Sequence, residues 1–171
     1  MNKGYIQVYT GNGKGKTTAA LGLSLRAICA GKKVFFGQFM KGQPYSELKA
    51  QEFLPGFQME QFGGLYFVNG NPSDQDIKDA KAGLQRMEKV LISSDYDLVI
   101  FDEINTSIHF NLLTVEEVVK VLKKRPEETE VILTGRYAPD EIILIADLVT
   151  EMKEIKHYYS VGVPARKGIE N

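Results

Sequence analysis

Residues 10–18 (TGNGKGKTT) restrict the possible folds more than any other part of the sequence. They lie between an apolar run at residues 5–9, which predicts a buried β-strand, and residues 17–30, which predict an α-helix. The segment departs from the phosphate-binding pattern G-x-x-x-x-G-K-[ST] only at its first position, where Thr10 replaces glycine. A strand, a glycine-rich turn and a helix in this order predict an anion site at the start of the helix.

The residue types in this segment suit a chain of phosphates. Gly11, Gly13 and Gly15 let the backbone turn around an anion with its N–H groups directed inward, and the dipole of the following helix adds positive potential. Lys16 supplies a compact positive charge for the outer phosphates, and Thr17 supplies a hydroxyl suited to Mg²⁺. Lys14 is either a second phosphate contact or a solvated loop charge. The segment is therefore predicted to be a P-loop that binds ATP through Gly11, Asn12, Gly13, Lys14, Gly15, Lys16, Thr17 and Thr18.

Two carboxylates follow directly after a short apolar strand in the segment DYDLVIFDE, residues 95–103. In an open parallel sheet the carboxyl ends of the strands meet at the edge where the P-loop lies, so Asp102 and Glu103 are expected to reach a bound metal. One of them is predicted to complete the Mg²⁺ shell with Thr17, directly or through water. The alternative is that both are simply polar residues at a strand end. The catalytic candidates are Lys16, Thr17 and Glu103, and the metal-binding candidates are Thr17, Asp102 and Glu103.

Apolar runs alternate with helical spacing along the rest of the chain. Strands are predicted at residues 5–9, 33–40, 57–62, 98–101, 131–134 and 148–152, and helices at residues 17–30, 46–53, 73–93, 114–124 and 140–146. Residues 63–72 are predicted to form an irregular loop and residues 156–171 a tail. Because the strands are continuous apolar runs, this alternation predicts a mostly parallel sheet with helices on both faces. The predicted fold is α/β, a P-loop NTPase-like three-layer sandwich, in a single domain spanning residues 1–171.

The composition excludes several other classes of protein. A formal net charge of −1, with 43% hydrophobic and 25% charged residues, indicates a globular protein and disfavours nucleic acid as a partner. Cys29 is the only cysteine, which excludes an intramolecular disulfide, and it is predicted to be a small buried thiol. No apolar run approaches the ~18 residues of a membrane span, and no apolar signal segment precedes the first strand. These features predict a cytoplasmic protein without membrane contact.

Four segments together resemble a known family over nearly the whole chain. They are GNGKGKTTAALG (residues 11–22), LVIFDEIN (98–105), VILTGRYAPDEI (131–142) and ADLVTEMKEIKHYYSVGVPARKGIE (146–170). The chain resembles the P-loop family of corrinoid adenosyltransferases, the cob(I)alamin adenosyltransferases. The resemblance implies transfer of the 5′-deoxyadenosyl group of ATP to the cobalt of a reduced corrinoid with release of triphosphate, in adenosylcobalamin synthesis or salvage.

The resemblance also implies roles for particular residues. It implies an ATP molecule turned opposite to its direction in P-loop hydrolases, so that the loop holds a leaving group. Residues 62–67 (FGGLYF) match a family loop that packs under the corrinoid, which makes Leu65, Tyr66 and Phe67 corrinoid-binding candidates; packing in the core is the alternative. Arg136 is a candidate nucleotide contact, with a structural salt bridge as its alternative. His157 and Arg166 belong to the tail motif without a defined role.

Partners are implied by the same resemblance. The family forms homodimers. Its chemistry also implies two further kinds of partner, a reductase and adenosylcobalamin-dependent client enzymes. Family members usually carry an extension before the first strand, and this chain has about four residues there. A corrinoid site that is more open, or covered by a partner subunit, is therefore expected.

Two other functions remain open at this stage. A P-loop kinase or recombinase-like ATPase would cleave ATP between its β and γ phosphates, and a corrinoid or nucleotide carrier would form no cobalt–carbon bond. The sequence does not distinguish cobalamin from a precursor corrinoid as the substrate.

Overall fold

The fold is built on one sheet of parallel strands. The computed structural model describes residues 3–64 and 71–170. In chain order the strands are β1 (Ile6–Thr10), β2 (Val34–Phe39), β3 (Phe57–Phe62), β4 (Leu98–Asp102), β5 (Glu130–Thr134) and β6 (Leu148–Glu151). They are arranged as β3-β2-β4-β5-β1-β6, and every neighbouring pair is parallel. Each strand lies within one or two residues of its predicted position, and the prediction of a parallel sheet is confirmed.

Helices connect the strands, and two of them begin at side-chain capping residues. The α-helices are α1 (Lys16–Cys29), α2 (Ala50–Phe53), α3 (Asp74–Ser93), α4 (Ile104–His109), α5 (Val115–Leu122) and α6 (Asp140–Ile145). Ser73 and Thr114 cap α3 and α5 through reciprocal capping boxes, as the S-x-x-D and T-x-x-E patterns predict. The single helix predicted at residues 46–53 is a 3-10 helix, Ser46–Lys49, followed by the short α2. Neither α4 nor the 3-10 helix Tyr158–Val161 was predicted from the sequence.

The sheet has an apolar layer on each face. On one face, β1, β2, β4 and β5 pack against α3, α4, α5 and α6, and on the other face β2 to β5 pack against α1. Alternate residues of a strand point to opposite layers: Phe35 belongs to the first cluster and Phe36 to the second. All six residues of β2 are buried, as expected for a central strand of a sheet covered on both sides. This arrangement confirms the predicted three-layer sandwich.

Cys29, at the end of α1, is exposed, so the prediction of a buried thiol is wrong. The buried side of α1 runs through Ala20, Ser24 and Ala27, and a residue two positions beyond Ala27 points to the opposite side of a helix. The predicted corrinoid contacts Leu65, Tyr66 and Phe67 lie outside the described residues.

No helix in residues 3–64 or 71–170 is both long enough and apolar enough to cross a membrane.

Candidate active site

The P-loop forms one wall of a cavity of about 510 Å³ at the carboxyl edge of the sheet. Of the predicted site residues, eight line this cavity: Gly13, Lys14, Gly15, Lys16, Thr17, Thr18, Glu103 and Arg136. Gly11 and Asn12 lie in the same loop, and Asp102 lies behind the cavity wall with no exposed surface. The structure therefore brings together the P-loop, the carboxylates after β4 and the arginine after β5.

Lys16 is held inside the loop that precedes it. Its side chain is 7% exposed, and its Nζ donates hydrogen bonds to the carbonyl oxygens of Gly11 and Gly13, both at 2.7 Å. Burial lowers the pKa of Lys16, Glu103 and Asp102 oppose this effect, and Arg136 adds to it. The ammonium is therefore fixed at the cavity by backbone oxygens rather than by a bonded carboxylate.

The segment after β6 supports the back of the P-loop. The N–H of Gly13 donates to the Met152 carbonyl at 2.7 Å, and the N–H of Met152 donates to the Thr10 carbonyl at 2.8 Å. The Gly13 N–H therefore points at Met152, and the expectation that it points inward with the other loop amides is wrong for this residue. A Cβ atom on Gly11 would lie 2.4 Å from the Met152 carbonyl oxygen. The close approach of the two backbones explains why glycine is needed here.

Substitution of two glycines is expected to have opposite effects. Gly11 has a φ of 94° and no room for a Cβ, so Gly11→Ala should lower the free energy of unfolding by roughly 2 kcal/mol. Gly22 lies in α1, and a Cβ added there would have no neighbour within 4 Å, so Gly22→Ala should raise the free energy of unfolding by about 0.5–1 kcal/mol. Urea denaturation of both variants measures the difference, and equal effects would contradict the close packing of Gly11.

Asp102 is the centre of a buried hydrogen-bond network at the end of β4. Its Oδ1 accepts from the hydroxyls of Thr17 at 2.9 Å and Thr134 at 2.6 Å. Its Oδ2 accepts from Nζ of Lys41 at 3.0 Å and from Nε2 of Gln38 at 3.4 Å. Both carboxylate oxygens are therefore occupied by protein donors, and the Thr17 hydrogen is directed away from the cavity.

Glu103 is the carboxylate that faces the cavity. It adopts a left-handed backbone conformation (φ 60°), and its N–H donates to the Thr134 hydroxyl at 2.9 Å. The Thr106 hydroxyl donates to Oε2 of Glu103. Burial and the neighbouring Asp102 raise the pKa of Glu103, although Thr106, Lys41 and Lys16 act in the opposite direction. A non-glycine residue in the left-handed conformation is strained. This backbone conformation directs the Glu103 side chain to the cavity that the P-loop also lines.

The T-G-R-x-A-P segment connects β5 to this network. Thr134 bonds Asp102, and a Cβ on Gly135 (φ 130°) would lie 2.8 Å from the backbone nitrogen of Thr106. Farther along, the N–H of Ala138 donates to the Thr10 hydroxyl at 3.2 Å. Threonine at position 10, the one departure from the P-loop pattern, is therefore used to attach this segment to β1. Arg136 lines the cavity and forms no ion pair with the described residues, so the structural salt bridge that was its alternative is not observed among them.

Several cavity residues were not identified from the sequence. Lys41, Tyr45, Ser46 and Glu47 line it from the connection after β2, and His157, Gly168, Ile169 and Glu170 line it from the C-terminal segment. The rule that located Asp102, a polar residue following a buried strand, applies equally to Lys41 and would have found it. Within residues 3–64 and 71–170 there is no group of three or more His, Cys, Asp or Glu side chains arranged to hold a metal ion. Any cation here must therefore share its shell with hydroxyl, phosphate or water oxygens.

Comparison with known proteins agrees with this geometry. A family model described as ATP:corrinoid adenosyltransferase BtuR/CobO/CobP matches residues 2–171. The chain is 37% identical over 169 residues to a corrinoid adenosyltransferase of Escherichia coli K12, covering 98% of this chain and 86% of that protein. It is 36% identical over 169 residues to corrinoid adenosyltransferase CobA of Salmonella typhimurium LT2, with the same coverage of each chain. A third relative, a corrinoid adenosyltransferase of Pseudomonas aeruginosa, is 33% identical over 170 residues, which are 98% of this chain and 84% of that one. The chain therefore belongs to the ATP:corrinoid adenosyltransferase family.

Proposed function

We propose that this protein transfers the 5′-deoxyadenosyl group of ATP to the cobalt of a reduced corrinoid, with triphosphate as the leaving group. The observation that carries this proposal is a complete P-loop at the cavity, with Lys16 inside the loop and Thr17 bonded to Asp102, in a chain of this family. We assign nucleotide contact to Arg136 and to the P-loop residues other than Lys14, whose ammonium is bonded to the C-terminal segment. We also propose that the chain is a single domain, because residues from Gly13 to Glu170 line one cavity beside one sheet.

The reaction needs little covalent chemistry from the protein. Cobalt(I) supplies the electron pair that forms the cobalt–carbon bond to C5′, the C5′–O bond breaks, and triphosphate leaves with that bond's electrons. Cobalt is thereby oxidised formally from Co(I) to Co(III). Negative charge develops on the departing phosphate chain, where Lys16 and the loop amides stabilise it. The remaining contribution is to hold C5′ in line with the cobalt.

A magnesium ion fits the oxygen atoms that face the cavity. The Thr17 hydroxyl donates its hydrogen to Asp102, which leaves its oxygen lone pairs free for a cation, and Glu103 lies on the same wall. Mg²⁺ prefers oxygen ligands and retains several waters, so two protein oxygens together with phosphate oxygens suit it. We assign direct or water-mediated contact to Thr17 and Glu103, and an indirect role to Asp102. When bound, the ion neutralises charge on the leaving triphosphate.

Glu103→Gln is expected to lower turnover while raising stability. Loss of the carboxylate should reduce kcat by about 100-fold and raise the Mg²⁺ concentration needed for ATP binding. Because the pKa of Glu103 is raised in the folded protein, its ionisation opposes folding above its unfolded pKa. The variant should therefore melt roughly 2 °C higher at pH 8, and the difference should vanish below a pH of about 3, where both states bind the proton.

The control for Glu103→Gln is a glutamate that lies far from the cavity. Glu128→Gln changes an exposed glutamate before β5, at the opposite edge of the sheet, and should change neither kcat nor the Mg²⁺ requirement. A Glu103→Gln protein with unaltered turnover and an unaltered Mg²⁺ requirement would remove Glu103 from the assigned metal site.

The function is tested with purified protein, Mg-ATP and a chemically reduced corrinoid. The absorbance change that accompanies formation of a cobalt–carbon bond is expected, at a rate that saturates with ATP. A carrier would bind both compounds without this change. Running the assay with cobalamin and with a precursor corrinoid in parallel identifies the preferred substrate, and a reductase that supplies cobalt(I) becomes testable in the same assay. The cytoplasmic location remains a prediction.

We also propose a homodimer. Large apolar side chains are exposed at the β6 edge of the sheet and in the segments beside it, namely Leu144, Leu148, Val149, Ile155, Tyr159 and Val161. Monomeric proteins seldom leave an edge strand and its flanking apolar residues unpaired. Sedimentation equilibrium should give twice the chain mass of 19.1 kDa, and a single-chain mass at micromolar concentration would contradict the dimer.

A further inference from the structure

The C-terminal segment, residues 154–170, forms one wall of the cavity but makes few hydrogen bonds or ion pairs with residues 3–64 and 71–153. It contributes His157, Gly168, Ile169 and Glu170 to the lining. Most of its residues are exposed, and its only regular element is the 3-10 helix Tyr158–Val161. Between this segment and the other described residues, the hydrogen bonds and the ion pair all involve the Lys14 ammonium.

Lys14 contacts three different groups of the segment. Its Nζ donates to the Tyr158 hydroxyl at 3.0 Å, to the Ile169 carbonyl at 3.2 Å and to Oε1 of Glu170 at 2.7 Å. The ammonium also lies 5.7 Å from the centre of the Tyr158 ring. The sequence left Lys14 as either a phosphate contact or a solvated charge, and the structure adds a third role, because the ammonium is bonded to the C-terminal segment.

Glu170 is the anchor on the C-terminal side. Its Oε2 accepts from the backbone N–H of Arg166 at 2.8 Å and from Nε of Arg166 at 3.2 Å, and the Tyr158 hydroxyl donates to Oε1. Hydrogen bonds from Arg166, Lys14 and Tyr158 hold the pKa of Glu170 well below its ordinary value. The carboxylate is therefore charged, and it closes residues 158–170 into a loop whose external connection is Lys14.

We propose that Lys14 is a positioning residue that holds the C-terminal segment in place as a wall of the nucleotide site, with Glu170 as its anchor. This inference rests on the proposed function, because the cavity must be the ATP site for its wall to matter. Lys14 stands between Gly13 and Gly15 of the P-loop, so the same short loop that grips phosphates also sets the position of the opposite wall. The ion pair thereby gives a role to Glu170, the last residue of the terminal K-G-I-E motif, which the chemistry alone does not use.

The test measures hydrogen–deuterium exchange in the nucleotide-free protein. The reporters are amides bonded within the segment, such as Val163 N–H to the Tyr158 carbonyl and Glu170 N–H to the Arg166 carbonyl. Glu170→Gln and Lys14→Met should each speed their exchange by about tenfold, and the double variant should be no faster than the faster single variant. Lys14→Arg keeps the cation and should preserve protection. Exchange in β1 and α1 should be unchanged in all four, which verifies that the fold is intact.

ATP binding provides the second measurement. Glu170→Gln leaves the P-loop sequence intact, and it should weaken ATP binding by about three- to tenfold and raise KM while kcat stays near the wild-type value. Unchanged exchange of the segment in both Glu170→Gln and Lys14→Met would overturn the proposal. So would weaker ATP binding in Lys14→Met alone, since Lys14 would then act directly on the phosphates. Failure of the proposed function is distinguishable, because the wild-type protein would then bind no ATP although exchange of its segment still responded to Glu170→Gln.

Discussion

Lys16→Ala is expected to lower adenosyl transfer by about a thousandfold and to leave the protein folded. The ammonium of Lys16 is fixed by the Gly11 and Gly13 carbonyls at the cavity to which we assign the phosphate chain of ATP, and this chain gains charge as it leaves. Burial disfavours the charged form of this lysine, so its removal costs little folding free energy. Steady-state rates measured from the corrinoid absorbance, together with thermal melting, check both parts of the prediction.

A matched control separates the site from general effects of losing a lysine. Lys120 is exposed on α5, and Lys120→Ala should retain wild-type kcat and KM. A Lys16→Ala protein whose rate lies within about tenfold of the wild type would show that the leaving group is stabilised elsewhere. A large drop in Tm in this variant would contradict the explanation of its lost activity.

Asp102→Ala is expected to cause the largest loss of stability, about 3–5 kcal/mol in the free energy of unfolding. Asp102 has no exposed surface, and its removal leaves the partly buried Lys41 without its nearest counter-charge. The hydroxyls of Thr17 and Thr134 lose their acceptor at the same time. Urea denaturation measures the effect. A change below about 1 kcal/mol would show that the hydrogen bonds around Asp102 do not together stabilise the fold.

The charges of Asp102 and Lys41 are expected to be coupled in their effects on stability. Asp102→Asn keeps an acceptor oxygen for Thr17 and Thr134 but turns an amide group toward the Lys41 ammonium. Removing that ammonium as well, in the Asp102→Asn/Lys41→Met double variant, should recover part of the stability lost in the single variant. If the double variant is less stable than the wild type by the sum of the two single-variant losses, the Asp102–Lys41 contact contributes no coupling.

Local sequence patterns were sufficient to predict the strands of the sheet, the P-loop and Glu103. The strands are apolar runs of a sheet covered on both faces, so each was visible without knowledge of its neighbours. The starts of the two helices with capping boxes were located to the residue, whereas α4 was missed because six residues after a left-handed Glu103 carry no helical periodicity. The P-loop and Glu103 were found because their residue types and their place after a strand both point to phosphate and metal chemistry.

The rest of the site depends on contacts between distant parts of the chain. The Gly13 N–H is used by Met152, and Lys14 is bonded to Glu170, a residue 156 positions away. Neither contact follows from a local pattern, because the pairing of β1 with β6 creates the first and the return of the C-terminal segment to the P-loop creates the second. The same limit applies to Asp102, whose role differs from that of Glu103 because Thr17, Thr134 and Lys41, from three distant parts of the chain, occupy its oxygens.

The phosphate product of turnover tests the central claim most directly. ³¹P NMR of a reaction containing the protein, Mg-ATP and reduced corrinoid should show intact triphosphate accumulating in equal amount to the adenosylated corrinoid. Without corrinoid, little ATP should be consumed. ADP and inorganic phosphate as the products formed during turnover would contradict the claim that the P-loop holds a leaving triphosphate.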